Sequence, residues 1–239
     1  MASRPGMSGE GPGPITPDGS AVELYAALPP GPEADIIHAA LPPGASILEL
    51  GAGTGRVTRE LIARGHPVVA VDESPEMLAH VEEHVSGAET VCGTIEDLDL
   101  GRRFDAVLLA SRLINVADAR LAHRMLLSCR RHLSPEGSAI IERHAPGWFD
   151  QVRAIAGEGG GITMILREVD RPGPDLVAVD AEYRLDGRTW KQSFLVRRVD
   201  DEGLINSLQA AGLAFDSFLT PSRTWIKAVP DGGAPFARP

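Results

Sequence analysis

Cysteine is nearly absent from this 239-residue chain, which holds only Cys92 and Cys129. Two cysteines exclude a disulfide framework and a cysteine-based zinc site, and both lie in apolar-flanked segments that read as core. Aromatic residues are also scarce, at 5%, and no lysine-rich run occurs. The formal net charge is −10. Such a surface repels phosphate backbones and anionic lipid, which argues against nucleic acid or membrane partners. No stretch approaches the roughly eighteen consecutive apolar residues of a spanning helix. The first twenty residues contain no apolar stretch at all, so no leader is expected and the expected compartment is the cytoplasm.

What is present is material for a core. Hydrophobic residues make up 43% of the chain, enough for a single domain over 21–239. Residues 1–20 hold five glycines and four prolines and read as a disordered tail. "AVELYAAL" and "PEADIIHAAL" follow as two short helical patterns, the second opened by Pro32.

From residue 46 the pattern alternates. "SILEL", "PVVAVD", "ETVCG", "FDAVLLAS" and "SAIIERH" read as strands. "GRVTRELIARG", "SPEMLAHVEEHV" and "ARLAHRMLLSCRRHL" read as the helices between them. Gly65 closes the first helix, Ser74 and Glu76 open the second, and Leu121, Met125, Cys129 and Leu133 make one apolar face of the third. Apolar strands alternating with amphipathic helices predict an α/β fold, a mostly parallel sheet with helices on both faces.

Residues 160–200 interrupt this rhythm as an antiparallel β insertion. Asp186-Gly187 is a favoured two-residue hairpin turn. Taken literally, it pairs Tyr183 with Trp190, Val179 with Phe194 and Val177 with Val196, all on one face. "GITMILREV" supplies a third antiparallel strand. Helix "DDEGLINSLQAAG" and strands "AFDSFLT" and "RTWIKAVP" complete the chain.

The stretch "LELGAGTGR" (48–56) carries the chemistry. A strand turning sharply into a helix leaves backbone N–H groups pointing outward, and glycines let a ligand lie against them. Asp72 ends the next strand, where a carboxylate can accept both hydroxyls of a ribose. Together they specify an adenosine-containing ligand. A nicotinamide dinucleotide needs G-x-G-x-x-G; here Arg56 stands where the third glycine would pack. A nicotinamide-dependent oxidoreductase is therefore the less favoured enzyme reading.

In order and spacing, "ILELGAGTGRVTREL", "VVAVDESPEML", "VCGTIEDLDL", "FDAVLLASRLIN" and "LLSCRRHLSPEGSAIIERH" resemble the successive motifs of class I S-adenosylmethionine-dependent methyltransferases of the small-molecule type. The resemblance covers roughly residues 46–144, which would be the cofactor-binding core. It implies a Rossmann-like seven-stranded sheet, S-adenosylmethionine as cofactor, and methyl transfer to O, N or C of a small molecule. It also implies roles. Glu49 and the backbone of Gly51, Ala52 and Gly53, in the loop that Gly55 ends, would hold the methionine amino and carboxylate end. Asp72 would take the ribose, Glu73 and Met77 would border the adenine, and Ile95 and Glu96 would meet its edge. Ser111 would lie beside the sulfonium. Thr94 stands where the family often has an acid, which leaves Glu96 or Asp97 for the adenine amino group.

In an open parallel sheet, ligands sit beyond the carboxyl ends of the strands. Substrate should therefore meet Ser111, Arg112, Asn115, Arg143 and His144, with His144 as the candidate base. Arg112 and Arg143 bind a substrate carboxylate or pair with nearby acids. Tyr25 folds over the methionine end or is a core aromatic, and Trp148 lines the substrate pocket. The β insertion roofs that pocket as a lid; its apolar face either packs on its own domain or joins two copies as a homodimer. His80 and His84 share a helix face, but no third ligand follows, so no metal is expected. A cofactor-binding subunit without turnover is the reading from outside enzymology.

Overall fold

The computed structural model describes residues 4–232. Two sheets organise them. The first has seven strands in the order β11-β12-β6-β5-β2-β3-β4. Its members are β2 (Ile47–Leu50), β3 (Val68–Asp72), β4 (Glu89–Cys92), β5 (Phe104–Leu109), β6 (Leu133–Glu142), β11 (Leu213–Phe218) and β12 (Trp225–Pro230). Strands β2 to β6 run parallel; β12 pairs antiparallel with β6, and β11 antiparallel with β12.

Helices cover both faces of this sheet, as the alternating pattern predicts. α5 (Ala119–His132) and α7 (Asp201–Ala210) pack one face, where Met125, Leu126, Cys129, Leu204 and Leu208 meet Leu48, Leu50 and Leu109. α2 (Glu33–Ala40) and α3 (Arg56–Ala63) pack the other, with Ile37, Val57 and Leu61 against Ile47 and Leu108. α4 (Pro75–His84) adds Leu78 and Val81 beside Ala70. The chain runs outward from β2 to β3 and β4, then returns to β5 on the other side of β2. The crevice at that reversal is where ligands settle in such sheets.

The second sheet has five strands, β1-β10-β9-β8-β7. These are β1 (Met7–Glu10), β7 (Ile155–Gly159), β8 (Ile162–Gly173), β9 (Leu176–Leu185) and β10 (Arg188–Arg197). The hairpin register follows the Asp186-Gly187 turn: Tyr183 faces Trp190, Val179 faces Phe194 and Val177 faces Val196. Strands β1 and β7 were not legible in the sequence.

Residues 4–20 are not the disordered tail that their composition implied. They form a strap. Met7 pairs with Phe194 and Gly9 with Gln192 on β10. The Arg4 N–H donates to the Pro17 carbonyl at 2.8 Å, and the Trp190 indole N–H to the Pro12 carbonyl at 2.9 Å. The glycines serve close approach: a Cβ on Gly9 would strike the Gly19 carbonyl, and one on Gly19 the Ser8 backbone. The apolar face of the insertion is thereby covered by its own chain. α1 (Val22–Ala27) contributes Leu24, which joins Ala21, Ile162 and Trp190 in one cluster. Beyond it, Phe149 of the short α6 (Trp148–Gln151) packs on Val177, Val179 and Val196.

Cys129 is buried as expected, but Cys92 is exposed. It ends the edge strand β4, where only one side of the ladder is covered. Among the described residues, no helix is long and apolar enough to cross a membrane.

Trp190 is 1% exposed and anchors the strap to the second sheet. Trp190→Ala should cost about 3–5 kcal/mol in denaturant unfolding and raise hydrogen exchange across residues 4–20.

Candidate functional site

A cavity of about 320 Å³ opens at the carboxyl ends of β2, β3, β4 and β5, a size suited to a small ligand. The α/β sheet supplies its floor. The five-stranded sheet supplies its roof through Met7, Tyr183, Gln192, Phe194 and Val196.

The floor begins with the turn from β2 into α3. Gly51, Gly53 and Gly55 have φ of +74°, +57° and +80°, a region in which a side chain is strained. Gly51 and Gly53 line the cavity, and nothing lies within 4 Å of where a Gly53 Cβ would stand. Gly55 does not line it. A Cβ there would press on Val81 of α4 and on Val85 just past its end, at 3.0 and 3.1 Å, so this glycine serves helix packing.

The expectation that this loop's N–H groups hold a ligand needs correction. The N–H groups of Gly51 and Ala52 donate to the Val71 carbonyl at 2.8 and 2.9 Å, and that of Gly53 to Asp72 Oδ2 at 2.8 Å. What these three residues offer a ligand is bare surface. The positive charge comes from Arg56, a cavity residue whose guanidinium also donates to Glu33 at 2.8 Å.

One buried and one half-buried carboxyl face this floor. Glu49 on β2 is 3% exposed and accepts from the Thr58 hydroxyl at 2.6 Å. Burial pushes its carboxyl up to about 7, against the Thr58 bond and the charge of Arg56. Asp72 ends β3 and accepts from the Gly53 and Ser74 N–H groups at 2.8 and 2.9 Å. Burial raises it above the usual carboxylate range despite those bonds. Further along the strand ends, Glu73, Met77, Gly93 and Ile95 continue the lining. Glu96 does not line the cavity; it is paired with Arg4 at 3.3 Å. Asp97 is engaged with Thr94 and Arg124.

At the end of β5, Ser111 and Arg112 both take positive φ, 54° and 59°. Two consecutive non-glycine residues there store about 1–3 kcal/mol each, a feature that clusters at functional sites. Both line the cavity, as do Tyr25 and His144. Arg112 reaches Glu142 at 3.1 Å. The His144 ring stacks on Trp148 with centroids 3.9 Å apart. Burial, helped by Arg112, lowers its imidazole to about 3, so it is neutral at ordinary pH.

Three residues expected at the substrate lie behind the wall. Arg143 is fully buried; its guanidinium donates to the Arg223 and Val199 carbonyls at 3.0 and 2.9 Å and pairs with Asp201. Successive β residues point to opposite faces, so Arg143 cannot share the cavity with His144. Asn115 is also fully buried. Its amide donates to the Arg197 carbonyl and its oxygen accepts from the His144 N–H, both at 2.9 Å. It positions His144 from outside the cavity lining. Trp148 backs His144 without lining the cavity. Sequence reasoning missed Arg4, Arg56, Asp18 and Gln192, all cavity residues. His80 and His84 stack at 4.1 Å, and no metal-holding cluster exists among the described residues.

Residues 47–137 match the family model described as a methyltransferase domain. The chain is similar to an uncharacterized methyltransferase of Mycobacterium tuberculosis, 42% identical over 148 residues, and spans 59% of that relative's length and of its own. Among solved structures, a sugar N-methyltransferase from a Streptoalloteichus species matches at a TM-score of 0.69 and 27% identity, over 83% of this chain and 86% of that one. An S-adenosylmethionine-dependent methyltransferase from Clostridium acetobutylicum matches in fold, with TM-score 0.72, 18% identity, and coverage of 87% and 95%.

Two predictions follow from the buried groups. The Glu49 carboxyl ionises near its ordinary 4.5 when unfolded, and burial pushes it up to about 7 when folded. The folded chain therefore holds the extra proton between those values, and ligand-free stability falls as pH rises through that window. Glu49→Gln should flatten that slope in melting curves recorded from pH 4.5 to 7.5. Arg143→Ala should cost about 3 kcal/mol of stability, because it strands the partners of a buried guanidinium; chemical denaturation measures it.

Proposed function

We propose that the chain is an S-adenosylmethionine-dependent methyltransferase whose acceptor is a small molecule, with nitrogen as the acceptor atom. The observation that carries this reading is the placement of a buried and a half-buried carboxyl on adjacent strand ends beside a glycine-rich loop. Glu49 fits an ammonium group and Asp72 a ribose diol, with Arg56 near enough to the same floor to meet a carboxylate. Each carboxyl is raised by burial, so each gains from a donor or cation supplied by a ligand. A cavity of about 320 Å³ at the strand ends has the size of a small-molecule site rather than of a groove for a folded polymer.

When bound, S-adenosylmethionine supplies a methyl carbon activated by positive sulfur. The protein's own task is alignment and exclusion of water. The roof formed by Tyr183, Gln192, Phe194 and Val196 acts as a lid that keeps water out. Tyr25 and Tyr183 give the acceptor half a mixed apolar and hydroxyl wall. His144, held by Asn115 and stacked on Trp148, accepts a hydrogen bond from the acceptor group. An imidazole pushed to about 3 is a weak sink for a hydroxyl proton. A neutral amine attacks with its own lone pair and asks less of the base. The similarity to a sugar N-methyltransferase agrees with that choice.

Calorimetric titration with S-adenosylmethionine tests the cofactor assignment. Asp72→Ala should weaken binding at least about tenfold, with ligand-free melting recorded alongside because Asp72 also holds the glycine loop. Equal binding by the variant would remove Asp72 from the ribose site. A radiolabelled methyl-transfer screen of amino sugars against their hydroxyl counterparts tests the acceptor; labelling of the hydroxyl set alone refutes nitrogen. His144→Ala should lower turnover about tenfold, the loss of one hydrogen bond, and the wild-type rate should show no His144 limb between pH 5 and 9.

A further inference from the structure

Arg4 enters the cavity from outside the α/β domain. Its guanidinium forms a fork on Glu73, Nε to Oε1 at 2.7 Å and Nη2 to Oε2 at 2.9 Å, while Nη1 reaches Glu96 Oε1 at 3.3 Å. Only 19% of the Arg4 side chain is exposed. Such a fork spends the in-plane N–H edges of the guanidinium and leaves its flat faces available for stacking.

The position of this plane is informative. Along the strand ends the lining runs from Glu49 and the glycine loop on β2, through Asp72 on β3, to Glu73, Gly93 and Ile95 beside β4. A nucleoside with its ribose at Asp72 directs its base toward Glu73 and Ile95. There the cavity is bounded by Met77 and Ile95 from the α/β domain and by Arg4 from the strap. Glu96, which lies outside the lining, pairs with Arg4 and holds the guanidinium at that end.

We propose that Arg4 is a cofactor-binding residue: the strap carries its guanidinium to the base end of the cavity, where Glu73 and Glu96 hold it flat for stacking against the adenine ring. The inference rests on the adenosyl-cofactor reading above and adds a component from outside residues 47–137. It also gives Glu73 a new role, since it orients Arg4 and the guanidinium borders the base.

Arg4→Lys separates stacking from simple latching. Lysine keeps the charge that pairs with Glu73 and Glu96 but has no plane. Calorimetry with S-adenosylhomocysteine should show Arg4→Lys and Arg4→Ala both weaker than wild type by roughly tenfold, as a desolvated guanidinium–π contact requires. Ligand-free melting temperatures of Arg4→Lys should stay within about 2 °C of wild type. Binding by Arg4→Lys within about twofold of wild type would overturn the stacking role and leave Arg4 a latch. Loss of affinity in step with loss of melting temperature would also overturn it, as support of the strap alone. Failure of the wild-type chain to bind S-adenosylhomocysteine would instead defeat the cofactor reading, and this inference with it.

Discussion

The site depends on one carboxylate. Asp72 accepts from the Gly53 N–H on one oxygen and from the Ser74 N–H on the other. The first bond pins the left-handed loop after β2; the second sets the start of α4, whose Ser74 hydroxyl in turn accepts from the Met77 N–H. Charge-assisted bonds of this kind are stronger than neutral ones and hold their groups in fixed directions. Two neighbouring strands are thereby locked at their carboxyl ends, and the hollow between them keeps its shape without a side chain to fill it.

The rest of the cavity is built by segments far apart in the chain. Just past β5, Ser111 and Arg112 take strained backbone conformations at the cavity, and the chain leaving β6 places His144 two residues beyond its last paired residue, Glu142. Asn115 ties these two ends to β10 through its paired bonds to His144 and Arg197. The roof is thus bonded to the floor by a buried amide.

Much of the fold was legible because its signals are local. Strands β2 to β6 announce themselves as short apolar runs between amphipathic helices, and Asp186-Gly187 sets the hairpin register residue by residue. The carboxyls Glu49 and Asp72 were legible from their places at strand ends. Other features were less so. Arg143 and His144 are adjacent, and the period of two, applied at this point, separates them: Glu142 and His144 share one face and Arg143 takes the other. Cys92 sits in an apolar-looking run, but nothing local marks β4 as an edge. The strap was misread because glycine-rich composition usually signals a chain with nothing to bury. Here Gly9 and Gly19 are small because two backbones cross at their α-carbons, a long-range fact that composition does not record.

The pairing of β1 with β10 has a bearing on how the chain assembles. Met7 lies against Phe194, so during synthesis the strap leaves the ribosome long before the strand that receives it. It must stay uncommitted while the parallel sheet forms, and its glycines and prolines, poor formers of helix or independent strand, suit that wait. Closure of so distant a contact is slow in general. The base end of the cavity therefore closes only once β10 has been made.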